Sequence, residues 1–311
     1  MQVIATIISP DFLPFASCLY HAIQKHDPGT ELHVLVTGEL TIKESPVHFY
    51  QPGELDVIFA KDLAKKYEGF NDNLRWSLKP VFLLHLLNKY ERVIYLDADI
   101  HPFSSFSFLF DKLKNHSFLL TPHYACTDPF QNEEKFRMNF LAGLYNAGFV
   151  GVNKEAAFSL EWWAKACLYR TEINMSDGFF VDQRYLDMIP VIDPKAGIVH
   201  HQGCNIGSWN MESFRRIQQP DGSVLINNQY PVVFIHFNHE TIKHILNGDD
   251  GALKPYLLAY EKGFAATGQE LKDFISRYDD WEKTSFFIKL KRSASIRTHI
   301  KKFFFNLAKK L

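Results

Sequence analysis

Residues 91–103 read ERVIYLDADIHPF, an apolar run that ends in two aspartates one residue apart. A strand period of two sends Asp97 and Asp99 to one face and Ala98 to the other. Two carboxylates that close repel, and one has its pKa raised unless a cation intervenes. Oxygen ligands with open positions suit Mg²⁺ or Mn²⁺ held jointly with substrate phosphates. The competing reading is a solvated strand end, where Asp is an ordinary turn residue. The apolar run feeding the pair favours the cation.

Outward from this stretch, short apolar runs alternate with longer amphipathic ones, which predicts an α/β sheet with helices on its faces. QVIATIIS (2–9) reads as the first strand, FLPFASCLYHAIQKH (12–26) as a helix and ELHVLVTG (31–38) as the next strand. LRWSLKPVFLLHLLNKY (74–90) reads as one helix, although Pro80 is tolerable only near a helix start. Later come a strand around FVGVN (149–153), a helix through AAFSLEWWAKACLYR (156–170) and a strand near YPVVFIHF (230–237). This order fits a doubly wound, nucleotide-type sheet, in which ligands sit outside the carboxyl ends of the strands. Asp97 and Asp99 lie at one such end.

The chain has 311 residues, 46% of them hydrophobic and 15% aromatic, enough for one large domain with a sizeable core. Its beginning, MQVIATIISPDF, lacks a basic leader and a small-residue cleavage site, and no run approaches the roughly 18 apolar residues of a membrane span. Cys18, Cys126, Cys167 and Cys204 form no CxxC pair and are expected as small buried hydrophobes in a reducing cytoplasm. The net charge of −1 hides an asymmetry. Nine of the 34 Lys/Arg and none of the 35 Asp/Glu fall in residues 283–311, so residues 1–282 hold 25 basic against 35 acidic groups. Such a body is a poor partner for nucleic acid.

Several ordered segments resemble one family, the GT-A glycosyltransferases, in particular family 8 and its bacterial relatives. Beside YLDADI, the segment YNAGFVGVN (145–153) is similar to the family's Asn-Ala/Ser-Gly motif, and FVDQRYLD (180–187) to its Asp-Gln motif. VVFIHFN (232–238) resembles the late strand whose histidine completes the metal site, and GCNIGSWN (203–210) a Tyr-Asn-x-x-x-Trp-Asn segment of bacterial relatives. The resemblance spans residues 1 to about 245. It implies a GT-A, Rossmann-like mixed sheet over residues 1–280, with residues 281–311 as a tail.

The resemblance also implies chemistry. His236 becomes the third metal ligand beside Asp97 and Asp99, although a core histidine is the alternative, and His200, His201 and His239 are rivals. Asp182 and Gln183 are placed beneath the donor sugar as the catalytic pair; a helix-capping Asp is the plainer reading. Asn146, with Ala147 and Gly148, is placed to meet the sugar, and Gly148 and Gly151 to permit close backbone approach. Lys79 (or Arg75) points a basic group at the donor, with a solvated helix face as the alternative. Ile8, Ser9 and Asp11 follow the first strand and are expected at the nucleotide base. Asn205 and Trp209 are expected on the acceptor side, with Trp209 as plain core the equal alternative. One departure stands out: the Gly-x-x-Lys-Pro-Trp segment that follows the late histidine in family 8 is missing here, leaving Lys243 as the substitute.

The expected activity is a Mn²⁺- or Mg²⁺-dependent transfer of a hexose from a nucleotide diphosphate sugar, UDP-linked, to a glycan or glycolipid hydroxyl with retention. A catalytically silent sugar-nucleotide-binding protein is the second reading. A metal phosphohydrolase, whose Asp-x-Asp belongs on the first strand, is the third. In the tail, Ile296, Ile300, Phe303, Leu307 and Leu311 recur at helical spacing beside basic residues. The expectation there is an amphipathic helix on an anionic membrane surface facing the cytoplasm, or otherwise a helix capping the domain.

Overall fold

The structure is a computed structural model that describes residues 1–39 and 45–276. The expected boundary at 280/281 and the amphipathic tail lie outside the described residues. A first compact unit spans Met1–Thr267 and contains the whole sheet.

The unit is built on seven strands. These are β1 (Gln2–Ile8), β2 (Glu31–Val36), β3 (His48–Tyr50), β4 (Arg92–Leu96), β6 (Phe118–Pro122), β7 (Tyr145–Asn153) and β8 (Gly197–Ile198), in the order β8-β6-β7-β4-β1-β2-β3. β1 pairs parallel with β2 and β4, while β7 runs antiparallel to both β4 and β6. The sheet is therefore mixed, and it reverses direction beside β4. Nearly every residue of β1, β4 and β7 is buried, as covering both faces of a sheet requires. The helices that supply the cover include α1 (Leu13–His26), α2 (Asn71–Ser77), α3 (Lys79–Leu87) and α5 (Ala157–Tyr169), whereas α4 (Glu133–Leu141) buries none of its residues. A strand outside the main sheet, β9 (Phe234–His236), pairs antiparallel with the short β5 (Ile100–Pro102). All four cysteines are free and buried. Among the described residues no helix is long and apolar enough to cross a membrane.

Two expectations change here. The helix expected over 74–90 is two helices, meeting at Leu78. Pro80 occupies the first turn of the second, where its missing N–H costs nothing. That break places Lys79 at a helix start facing inward; eight of the nine residues of α3 are buried, Lys79 among them. The strand expected over 230–237 is also interrupted, into Tyr230–Pro231 and β9.

The core packs α3 and α5 against β4, β6 and β7. At its centre, Trp163 is fully buried and donates its indole N–H to the Asp182 carbonyl at 2.9 Å. Truncating a buried tryptophan costs about 3–5 kcal/mol, so the loop carrying Asp182 is anchored to a rigid element.

Candidate active site

β4 stops at Leu96, before the aspartates. Residues 97–100 form a turn, closed by the Ile100 amide donating to the Asp97 carbonyl at 2.9 Å, with the Asp97 amide donating to the Gly148 carbonyl at 2.8 Å. Strand alternation therefore does not bring the two carboxylates together; the turn does. Beyond it, β5 pairs with β9 so that Ile100 faces His236, and the Phe237 amide donates to the Asp99 carbonyl at 2.9 Å. His236 Nε2 then lies 3.0 Å from Asp99 Oδ1. One ligand atom each from Asp97, Asp99 and His236 falls within 4.8 Å of the others.

Lys79 forms the second centre. Its Nζ is 3.2 Å from Asp97 Oδ1 and 3.3 Å from Asp182 Oδ2, and it donates to the Ala147 carbonyl at 3.1 Å. The side chain is 3% exposed, so the solvated alternative does not apply. Tyr95 adds a hydroxyl donating to Asp97 Oδ1 at 2.7 Å.

The electrostatics follow from burial. Burial pushes the Asp182 carboxyl up to about 6, against the pull of the Lys79 ammonium and with the repulsion of Asp97. Burial works to discharge Lys79, but Asp182 and Asp97 outweigh it and raise its pKa. Asp99 is lowered despite burial because His236 lies against it, and His236 is raised for the same reason. Three carboxylates thus share one lysine and one histidine, a set that is still short of positive charge.

Residues 145–148 of β7 build the floor. Asn146 Oδ1 accepts from the Gly148 amide at 2.9 Å and from Asn205 Nδ2 at 3.0 Å. Gln183 spends both ends of its amide on backbone, accepting from the Ala147 N–H at 3.1 Å and donating to the Ala142 carbonyl at 3.0 Å. Gly148 is required by its neighbour: a Cβ there would lie 2.5 Å from Cε1 of His236. Gly151 packs against Leu119, where a Cβ would come within 3.2 Å, so its smallness serves the sheet.

Above this floor opens a cavity of about 430 Å³, lined by Lys79, Asp97, Asp182, Trp209 and His236 among others. Two buried polar atoms at its wall make no hydrogen bond, His236 Nδ1 and Trp209 Nε1, while Asp182 Oδ2 meets the Lys79 ammonium at 3.3 Å. Unsatisfied groups of this kind, gathered at one cavity, mark a place prepared for a polar ligand. The cation test is met by the donor set as well, since two hard carboxylates and an imidazole suit Mn²⁺ or Mg²⁺.

Of the residues expected from the sequence, Asn146, Ala147, Gly148 and Gln183 also line this cavity. Asp182 is the residue before a 3-10 turn, but its side chain makes no capping bond. Ile8, Ser9 and Asp11 lie outside the cavity lining, with Ser9 Oγ donating to Asp11 Oδ1 at 2.5 Å. Lys243 is 4.0 Å from Glu240 and is also outside the lining. Among the described residues, His200, His201 and His239 do not join the Asp97–Asp99–His236 group. Sequence reasoning did not find His123, a buried lining residue whose Nε2 is 3.2 Å from Asn146 Nδ2. Nor did it find Tyr95 and Trp163, which read as plain strand and helix core.

No protein-family model matches the chain. It is similar to two proteins of Bacillus subtilis (strain 168). With the uncharacterized protein YfnF it shares 27% identity over 246 residues, 75% of this chain and 80% of that one. With the uncharacterized protein YfnD it shares 28% over 253 residues, 76% and 78%. Among solved structures it resembles the galactosyltransferase LgtC, determined with donor and acceptor sugar analogs, with a TM-score of 0.51 at 14% identity. That match covers 86% of this chain and 96% of LgtC. The mixed α/β sheet with its flanking helices is therefore the GT-A fold.

Proposed function

We propose that the chain is a metal-dependent glycosyltransferase, similar to family 8, that moves a hexose from a nucleotide diphosphate sugar to a glycan or glycolipid hydroxyl. The observation that carries this reading is the Asp97–Asp99–His236 group beside the buried Lys79–Asp182 pair, with Asp97, His236, Lys79 and Asp182 lining one cavity. The GT-A fold of the chain supports it.

In this reading Asp97, Asp99 and His236 hold Mn²⁺ or Mg²⁺. When bound, the ion stabilises, as a Lewis acid, the charge that grows on the pyrophosphate leaving group. The chain's own residues do the rest. Lys79 keeps Asp97 and Asp182 from repelling each other while the site is unliganded. Asp182 faces the anomeric carbon, where a carboxylate of raised pKa stabilises developing positive charge. Gln183 holds residues 142 and 147 in register beneath it. The donor is UDP-linked and the configuration is retained, as in the family resembled. Because the family's lysine after the late histidine is absent, pyrophosphate neutralisation falls on the cation and on Lys79 once it leaves Asp97.

A thermal-shift screen of nucleotide sugars with and without Mn²⁺, followed by UDP release with the best donor, tests the proposal. A ligand at 100 times its Kd adds about 2.7 kcal/mol of stability. A Mn²⁺-dependent shift with UDP-hexose and turnover abolished by EDTA is expected. A shift without turnover on any acceptor class would favour the silent binding protein, and no shift with any nucleotide sugar would overturn the proposal.

A further inference from the structure

Four consecutive residues, Phe180, Val181, Asp182 and Gln183, line the cavity of the candidate active site. An extended chain cannot do this, because successive side chains of a strand point to opposite faces. The chain arrives through a short hairpin, in which Ile173 pairs with Phe180 and Asn174 with Phe179. Asp182 beyond it is right-handed, at φ −81° and ψ −22°. Between them Val181 stands at φ +46°, and there the chain changes direction.

Valine is a poor fit to that backbone. The left-handed region presses Cβ against the following carbonyl oxygen, so it is left to Gly and, less often, Asn or Asp. For a β-branched residue it is a genuine outlier. Among the described residues six besides glycine have a positive φ; three are asparagine, and Val181 is the only β-branched one. Contacts on both sides hold it in place. The Val181 N–H donates to the Glu172 carbonyl at 2.8 Å, and the Asp182 carbonyl accepts the Trp163 indole N–H at 2.9 Å. Glycine could make the same two bonds at no steric cost. Strain of this kind gathers at functional sites, and a side chain that glycine would spare points to work done by the side chain.

The place of Val181 says what that work is. Val181 is 7% exposed and Asp182 only 1%, although both line the cavity. With Phe180, Ile173 and Ala147, Val181 makes an apolar part of the lining. In the proposed reaction Asp182 faces the anomeric carbon, and there water competes with the acceptor hydroxyl. In that side reaction the water oxygen bonds to the anomeric carbon as the bond from that carbon to the pyrophosphate oxygen breaks. UDP leaves with the electron pair, and the water's surplus proton passes through Asp182 to solvent. Keeping water out of the site suppresses such losses.

We infer that Val181 is a specificity-determining residue, whose isopropyl group, set in the cavity wall by a left-handed backbone, keeps water from the position beside Asp182 and reserves the donor for an acceptor hydroxyl. The inference rests on the transferase reading of this cavity. It gives to the wall a task that neither the cation nor Asp182 performs, the choice of nucleophile.

The test is hydrolysis without acceptor of the UDP-hexose that gives the Mn²⁺-dependent thermal shift, followed as UDP and free hexose. Val181→Gly should hydrolyse it at least about tenfold faster than the native chain, with Val181→Ala in between. Val181→Ile keeps the β-branch and the apolar bulk and should hydrolyse it no faster than the native chain. A gain in rate cannot come from misfolding. Melting temperatures check the backbone: Gly is ordinarily less stabilising than Ala, but here Val181→Gly should melt about 2–4 °C above Val181→Ala. Val181→Gly melting below Val181→Ala would show that the valine is not held against its preference, and would overturn the inference. Native-like hydrolysis by Val181→Gly, in a chain whose native form transfers hexose to an acceptor, would overturn this inference alone. A native chain that neither transfers nor hydrolyses any nucleotide sugar would overturn the transferase reading and this inference with it.

Discussion

Replacing Lys79 by Met keeps the length and the apolar stem of the side chain and removes only its charge. The ammonium it removes is 3% exposed and stands 3.2 and 3.3 Å from two carboxylates. Breaking a buried ion pair from one side costs about 3–5 kcal/mol. At about 2–4 °C per kcal/mol for a unit of this size, 3 kcal/mol lowers Tm by about 6–12 °C. The penalty depends on pH in a definite direction. Burial raises the folded pKa of Asp182 to about 6 from the ordinary carboxylate value of 3.8. Folding then takes up a proton between those values, and stability falls as pH rises through them. Without Lys79 the lowering influence on Asp182 is gone, and its pKa climbs further. At pH 5 Asp182 is largely protonated in both proteins, so the difference between them is smaller there than at pH 8. Mn²⁺ restores the missing positive charge and no longer competes with an ammonium for Asp97, so its stabilisation of Lys79→Met exceeds that of the native chain. Thermal denaturation at pH 5 and pH 8, with Mn²⁺ or EDTA, measures all three effects. A Tm loss under about 2 °C, equal at both pH values and with no larger Mn²⁺ shift, would show that Lys79 does not balance these carboxylates.

Two further predictions concern the site. Asp182→Asn keeps size and polarity but removes the charge, so kcat should fall by about 10²–10³ with little change in donor affinity, as for loss of a group that acts on the transition state. Near-normal turnover would reduce Asp182 to the loop anchor that its bond from Trp163 already makes it. Gly148→Ala places a Cβ 2.5 Å from Cε1 of His236 and 2.7 Å from Asn146 Oδ1, so His236 must move. The overpacking should cost about 1–3 kcal/mol and weaken Mn²⁺ binding at least about tenfold; unchanged Mn²⁺ affinity by calorimetry would separate His236 from the metal group.

Local periodicity determined much of this protein. The apolar runs read as strands become Gln2–Ile8, Glu31–Val36 and Arg92–Leu96, and the amphipathic segments read as helices become Leu13–His26 and Ala157–Tyr169, because burial is written into residue spacing. The ordered motifs pointed to the GT-A sheet and to Asp97, Asp182 and His236 at one cavity. What spacing does not carry is pairing between distant segments. A two-residue period put Asp97 and Asp99 on one strand face, but the chain turns at 97–100. The convergence of Asp99 with His236 is set by β5 meeting β9, more than 130 residues later. The same pairing picks His236 from 14 histidines. Lys79 read equally well as a solvated helix face until the break at Leu78 turned it inward onto two carboxylates. Val181 carries no motif at all, and valine by itself favours a strand. Only the bond to Glu172 and the anchoring of Asp182 on Trp163 hold it left-handed, because a backbone angle is set by what grips a residue on both sides and not by what that residue prefers.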